Sequence, residues 1–210
     1  MIYTIDNYES INKEVKELIY QEVEPSDGRC AKTTDVDEDS KKLSDNLHTN
    51  KKFKKLFKEI EKGIHIYLKE CEYKDVFNIY MTKAWATLTK KGQYIAPHKH
   101  TASHLSVVYY VEADDQGDLT INSPRKEGTG LYVPASTEYY ENYNEHNVES
   151  ITYGSRTGDL VIFPSNMMHL TNANQKDSTR ISIGIDVLIT MKKGIKSEHN
   201  MPDPQTWKKI

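Results

Sequence analysis

The chain has 210 residues, with 28 Lys and Arg against 31 Asp and Glu, a net charge of −3. That balance excludes a global basic field for nucleic acid, though not a local basic groove. Hydrophobic residues are 37% and charged residues 28%, a polar but globular composition with length for one sizeable domain or a domain with a helical extension.

Two cysteines, Cys30 and Cys71, lie outside any C-x-x-C motif and make no disulfide framework. Residues 1–6 lack a basic segment followed by an apolar run, so no signal peptide is expected. No apolar stretch is long enough to span a bilayer. The expected compartment is the cytoplasm.

Residues 8–23 place Tyr8, Ile11, Val15, Leu18 and Ile19 at helical spacing, and Pro25, Ser26, Asp27 and Gly28 end that helix. Residues 26–50 are polar and irregular. Their acidic run, Asp35, Asp37, Glu38 and Asp39, reads as a solvated loop rather than a metal site. Residues 51–70 give the clearest helix, with Phe53, Leu56, Phe57, Ile60, Ile64, Tyr67 and Leu68 on one face. It is expected to pack against the outside of a sheet.

From residue 76 the period changes to two. Residues 76–82 and 84–88 read as a long strand or a bent pair, with a turn at Gly92. A strand carrying His98 follows, then residues 104–111, a turn at 114–117 and a strand over 118–122 that ends at Pro124. Residues 125–149 are loop-like and hold a polar patch of Tyr139, Tyr140, Asn142, Tyr143, Asn144 and His146. Strands resume at 150–153, 159–163 and 179–190. In the last, Ile181, Ile183, Ile185, Val187 and Ile189 share one face, and Arg180, Ser182, Gly184 and Asp186 share the other. The tail from Lys192 is polar, with Trp207 as a candidate for docking. Helices first and short strands after suggest an all-β barrel or sandwich buttressed by N-terminal helices. The expected division is a helical buttress over 1–75, part of the same domain, a core over 76–191 and a tail over 192–210.

Alternation puts His98 and His100 on one side of an extended strand. His169 is a third imidazole after a separate apolar strand. Neutral imidazole ligates Fe(II), Zn(II), Ni(II) and Cu(II). Two from one strand and one from a neighbour cap one face of an octahedron and leave the other face open, as in non-haem iron oxygenases. A closed zinc site would want a further Cys or His, and Cys30 and Cys71 are not placed for it. Taken alone, His98 and His100 read equally well as surface histidines beside Lys99. His104 falls where the strand turns and is left out of the set.

Arg180 shares its strand face with Ser182. A guanidinium binds carboxylate bidentately, so the pair could hold an acidic cosubstrate. An Arg180 paired structurally with Asp186 is the other reading. Tyr110 shares a face with Ser106 and Val108, and a buried Tyr needs a partner for its hydroxyl. A cosubstrate carboxylate or a place in the barrel wall would each serve.

Residues 80–190 carry, in order, Ala84-Trp85, His98-Lys99-His100, a Ser106 to Val111 strand, Gly117-Asp118-Leu119, Pro124-Arg125, a Gly158 to Ser165 strand, His169 and Arg180-Ile181-Ser182-Ile183. This pattern resembles the Fe(II)/2-oxoglutarate-dependent oxygenases, and more narrowly a branch common in phages and marine bacteria. The resemblance implies a mainly β chain with N-terminal helices, folded as a double-stranded β-helix (jelly roll, cupin-like). It implies Fe(II) held by His98, the residue at position 100 and His169, with no catalytic residue beyond the metal centre. Arg180 would bind 2-oxoglutarate, assisted by Tyr110 and Ser182. The implied activity is that of a dioxygenase using O2 and 2-oxoglutarate, expected to be a hydroxylase of an unidentified amino-acid residue or small molecule. A monomer or homodimer is expected, with no membrane partner, and nucleic acid is not the expected partner.

Two positions depart from the pattern. The wider superfamily carries Asp or Glu where His100 stands, and a third neutral ligand leaves the ion one charge more positive. Asp118 is an alternative carboxylate should His100 not ligate. A Gly of the pattern is Val107 here, which changes local packing. Two other readings stand beside this one. One is a three-histidine cupin-type metal dioxygenase that does not use 2-oxoglutarate. The other is a non-catalytic β-barrel binding module, with the tyrosine-rich patch as its recognition surface.

Overall fold

Tyr8, Ile11, Val15, Leu18 and Ile19 recur at helical spacing, and they form one stripe of α1, Tyr8–Glu22, which follows a short strand β1, Ile2–Thr4. The computed structural model describes residues 1–22, 45–114, 119–123, 141–142 and 148–210, together with the backbone of 32–33, which forms β2 (Lys32–Thr33). Most of the 26–50 and 125–149 loops, Cys30, Asp118, Arg125 and nearly all of the tyrosine-rich patch lie outside the described residues.

The second helix, α2, runs Lys54–Glu70 and starts later than its apolar stripe. Two single turns of 3₁₀ helix precede it, and in the second the Asn50 side chain accepts the Lys52 N–H at 3.0 Å. That cap satisfies a donor the helix cannot and fixes a tighter turn before the α-helix begins. Leu56, Phe57, Ile60, Ile64 and Leu68 are buried, each stabilising by about 1.5–3 kcal/mol. At Gly63 an added Cβ would stand 2.5 Å from Leu160 Cδ2, so glycine is what lets α2 rest directly on the sheet.

The strands are β3 (Phe77–Thr89), β4 (Ile95–His98), β5 (Leu105–Glu112), β6 (Leu119–Asn122), β7 (Ser150–Tyr153), β8 (Asp159–Pro164), β9 (His169–Thr171) and β10 (Arg180–Met191). They form two antiparallel sheets, six strands in the order β1-β8-β5-β10-β3-β2 and four in the order β4-β9-β6-β7. The expected 76–88 segment is one strand of 13 residues, not a bent pair. The chain is mainly β with N-terminal helices, the two-sheet arrangement of a double-stranded β-helix.

Alternation divides the large sheet cleanly. Leu105, Val107, Tyr109, Leu160, Ile162, Ile181, Ile183, Ile185 and Val187 pack beneath α1 and α2. Tyr109 carries its hydroxyl into this layer and donates it to Asn12 Oδ1 at 2.5 Å, while Asn12 Nδ2 donates to the Val111 carbonyl at 2.9 Å. Tyr110, Val161 and Phe163 face the other way and pack on Leu119 and Ile121 of the small sheet. The space between the sheets is therefore apolar at one end and lined by polar side chains at the other. Trp207 stays half exposed, its Nε1 donating to the Pro202 carbonyl at 3.2 Å. No helix among the described residues is long and apolar enough to cross a membrane.

Candidate metal centre

His98 and His169 are direct partners across β4 and β9. Cross-strand partners on one face lie side by side, and here the ring centroids are 4.2 Å apart. The β4–β9 register shifts between Ile95 and His98. Pro97, which has no N–H to donate, sits in that irregularity on the edge strand of the small sheet, and such a shift re-aims the side chain that follows.

His100 reaches the same place by a different route. Alternation along one strand predicts it beside His98, but β4 stops at His98. Beyond the strand the His100 N–H donates to the Ser165 carbonyl at 3.0 Å, which ties the turn to the end of β8. Its ring centroid lies 5.2 Å from that of His98 and 5.3 Å from that of His169. One ring nitrogen from each of the three lies within 4.8 Å of the others, and this is the one such group of His, Cys, Asp or Glu found among the described residues.

Each imidazole has its Nδ1 committed. His98 Nδ1 bonds the Ala96 carbonyl at 2.8 Å, His169 Nδ1 the Met167 carbonyl at 2.9 Å, and His100 Nδ1 the Asp186 Oδ1 at 2.5 Å. Every one of these partners is an acceptor, so each Nδ1 carries a proton, and Nε2 is the nitrogen left to offer a lone pair from the neutral ring. Burial pushes His169 down to about 4, against the pull of the Met167 carbonyl and with the nearby His98 and His100 adding to the fall. It is neutral at pH 7, the state that ligates a metal. This donor set fits a divalent transition-metal ion.

The histidines open on a cavity of about 700 Å³ between the sheets. Thr87, Ser106, Thr171 and Ser182 supply hydroxyls, and Trp85, Tyr94, Lys83 and Lys99 are also among its lining. Ser182 is thus where alternation put it. Arg180 is buried at the end of the same strand, but it lines a second, narrow space with Glu112, Ala113 and Asp114 and donates from Nη2 to the Asn172 carbonyl at 3.0 Å. The β10–β5 register shifts between Ile181 and Ser182, where Val111 of β5 is passed over, while the β10–β3 pairing runs regularly through Arg180, Ile181 and Ser182, so Arg180 and Ser182 share one face of β10 although they line different spaces. Tyr110 is fully buried in the apolar layer between the sheets. The pairing of Arg180 with Asp186 is not formed. The two lie 6 positions apart (186 − 180) on one strand, about 20 Å at about 3.3 Å per residue. His104 is also accounted for: its Nδ1 accepts the Ile189 N–H at 3.0 Å.

Two features of the site carry no local signal in the sequence. Asp186 is the partner of His100, and Trp85 leans on the His100 ring at 5.7 Å between centroids. The indole fits because residue 184 is glycine, where an added Cβ would stand 2.6 Å from Trp85 Cζ2. Lys83 Nζ lies 5.1 Å over the same indole, a cation–π contact.

The fold has relatives of known structure. The chain is similar to SnoN, a non-haem α-ketoglutarate-dependent epimerase of nogalamycin biosynthesis, with a TM-score of 0.57 at 14% identity, covering 97% of this chain and 87% of that one. It is similar to a Pseudomonas putida prolyl-4-hydroxylase, TM-score 0.54 at 10% identity over 90% and 91% of the chains. It is similar also to HygX from Streptomyces hygroscopicus, solved with iron bound, TM-score 0.55 at 9% identity over 89% and 80%. At these identities the likeness is one of fold. No curated protein matches the chain in sequence. Residues 83–186, which contain the three histidines, Arg180 and Asp186, match the family model described as "Putative 2OG-Fe(II) oxygenase", and through them the chain belongs to that family of Fe(II)- and 2-oxoglutarate-dependent oxygenases.

Proposed function

We propose that His98, His100 and His169 hold Fe(II) through Nε2, that Arg180 and Ser182 receive the distal carboxylate of 2-oxoglutarate with Tyr110 behind them, and that the protein hydroxylates an amino-acid residue or a small molecule. The observation that carries this reading is the donor set: three imidazoles, each with Nδ1 bonded to an acceptor, meeting at one side of a cavity. Iron bound there would supply the centre at which 2-oxoglutarate and O2 combine. The balance is 2-oxoglutarate, O2 and a substrate C–H going to succinate, CO2 and C–OH.

The chain's own contribution is binding and orientation. Carbonyls two residues back fix the rings of His98 and His169, and Asp186 and Trp85 fix His100. The apolar layer of Tyr110, Val161 and Phe163 fills one end of the space between the sheets. A carboxylate that meets a buried guanidinium and a hydroxyl forms charge-assisted hydrogen bonds, which supports Arg180 and Ser182 as the clamp. Residues 1–75 act in this reading as a buttress, since α1 and α2 cover the outer face of the sheet that carries β10.

The test is consumption of 2-oxoglutarate by the purified, iron-loaded chain in air. Succinate should form slowly without added substrate and should require O2. Consumption of O2 with no succinate would favour the three-histidine dioxygenase that uses no 2-oxoglutarate, and neither change would favour a binding module.

A further inference from the structure

Resting on the metal centre just proposed, we infer that Asp186 is a positioning residue of that centre, holding His100 with Nε2 toward the ion and supplying from behind it the negative charge that no direct ligand carries. The contrast among the three histidines makes the case. His98 and His169 each turn Nδ1 onto the uncharged carbonyl two residues earlier, Ala96 and Met167. His100 instead turns Nδ1 onto a carboxylate from a strand far along the chain, at 2.5 Å. Non-haem iron centres commonly combine two histidines with one carboxylate. Here the described ligand set is three imidazoles, and one of them is backed by a carboxylate. The ligands and their partners then carry the same total charge, with the negative charge one bond system further out.

The surroundings of Asp186 are built for that position. Alternation along β10 places Asp186 on the cavity face with Ser182 and Gly184, and the β10–β3 register shifts beside it, where Thr82 of β3 is passed over, an irregularity of the kind found next to functional sites. Asp186 Oδ1 also accepts from Ser103 Oγ at 3.2 Å. Ser103 Oγ and Ser106 Oγ both reach Ser165 Oγ, at 2.7 and 3.1 Å, and Ser106 and Ser165 are fully buried. Trp85 supports one face of the His100 ring while Asp186 holds its edge. An imidazole donating to a carboxylate is a stronger base at its other nitrogen, and loss of such a partner costs about 10–100-fold in metal affinity.

The experiment is titration of the purified full chain with Co(II), read by its visible absorption, and a count of bound imidazoles by pulsed EPR of the Cu(II) form. Wild type should bind both ions with three imidazoles. Asp186→Asn keeps shape and acceptor but not charge, and its Co(II) Kd should rise about 10-fold. Asp186→Ala loses both, and its Kd should rise about 100-fold. In a His100→Ala background, Asp186→Asn should add no further loss, because the two side chains act as one unit. Wild-type affinity in both Asp186 variants, or an additive loss in the double variant, would overturn the role of Asp186 and leave the metal centre standing. Two imidazoles in wild type, with His100→Ala binding as tightly, would make Asp186 itself a ligand and overturn the inference. Failure of wild type to bind Co(II) at all would overturn the metal centre, and the role of Asp186 with it.

Discussion

His169→Ala is expected to abolish Fe(II) binding. His169 is the most buried of the three proposed ligands and the direct strand partner of His98. Its ring packs edge-on against Phe163 at 4.8 Å between centroids, so its truncation removes a ring contact of the apolar layer as well as a donor. Two histidines on one side would remain, and neither can close a three-point grip. The effect separates from simple destabilisation in a thermal melt. An ion at about 1,000 times its Kd stabilises a folded chain by about 4 kcal/mol, and for a chain of this length each kcal/mol raises Tm by about 2–4 °C. Wild type should therefore melt about 8–16 °C higher with saturating metal than without. The variant should melt at one temperature in both conditions. A metal-dependent rise in Tm retained by His169→Ala would remove His169 from the ligand set.

The second large effect is expected at Arg180, and it should fall on the cosubstrate. A charged hydrogen bond contributes about 1.5–3 kcal/mol. Arg180→Ala should therefore weaken 2-oxoglutarate by about 10–100-fold, with the Fe(II) Kd unchanged. Arg180→Lys should recover only part of the loss, because an ammonium cannot make the two parallel bonds of a guanidinium. Lys83 is the informative control. It lines the histidine cavity, whereas Arg180 lines the narrow space beyond Ser182. Lys83→Ala should leave 2-oxoglutarate affinity as it was. Loss at Lys83 with none at Arg180 would move the carboxylate clamp into the main cavity.

The parts of this fold legible in the sequence are those with a repeating pattern. The apolar stripes of α1 and α2 are read at the period of a helix, and the inner and outer faces of β5 and β10 at the period of a strand. The inward set Ser182, Gly184 and Asp186 follows from that alternation, and all three line the cavity. Three-residue elements such as β1 and β9 are too short to show a period. The three histidines of the candidate site were legible as candidates, but the geometry that brings them together was not. His100 reaches its neighbours through a turn stitched to Ser165, not through the alternation of one strand. Asp186, weighed at first as a partner for Arg180, belongs to His100, because strand length keeps it from the one and the turn that carries His100 back to the cavity brings the other to it. Register and bulges are tertiary facts, set by how strands from distant parts of the chain pair. The same holds for Gly184, whose missing side chain makes sense only once Trp85 is seen across from it on β3.

The most direct test of a three-histidine 2-oxoglutarate centre is an anaerobic titration of the metal-free chain, first with Fe(II) and then with 2-oxoglutarate, followed by visible absorption. The weak charge-transfer band of an iron–2-oxoglutarate chelate should appear only after the second addition, saturate at one equivalent of iron, and be missing in His169→Ala. Stoichiometric iron binding with no band at saturating 2-oxoglutarate would contradict the cosubstrate assignment and leave a three-histidine metal centre of another chemistry.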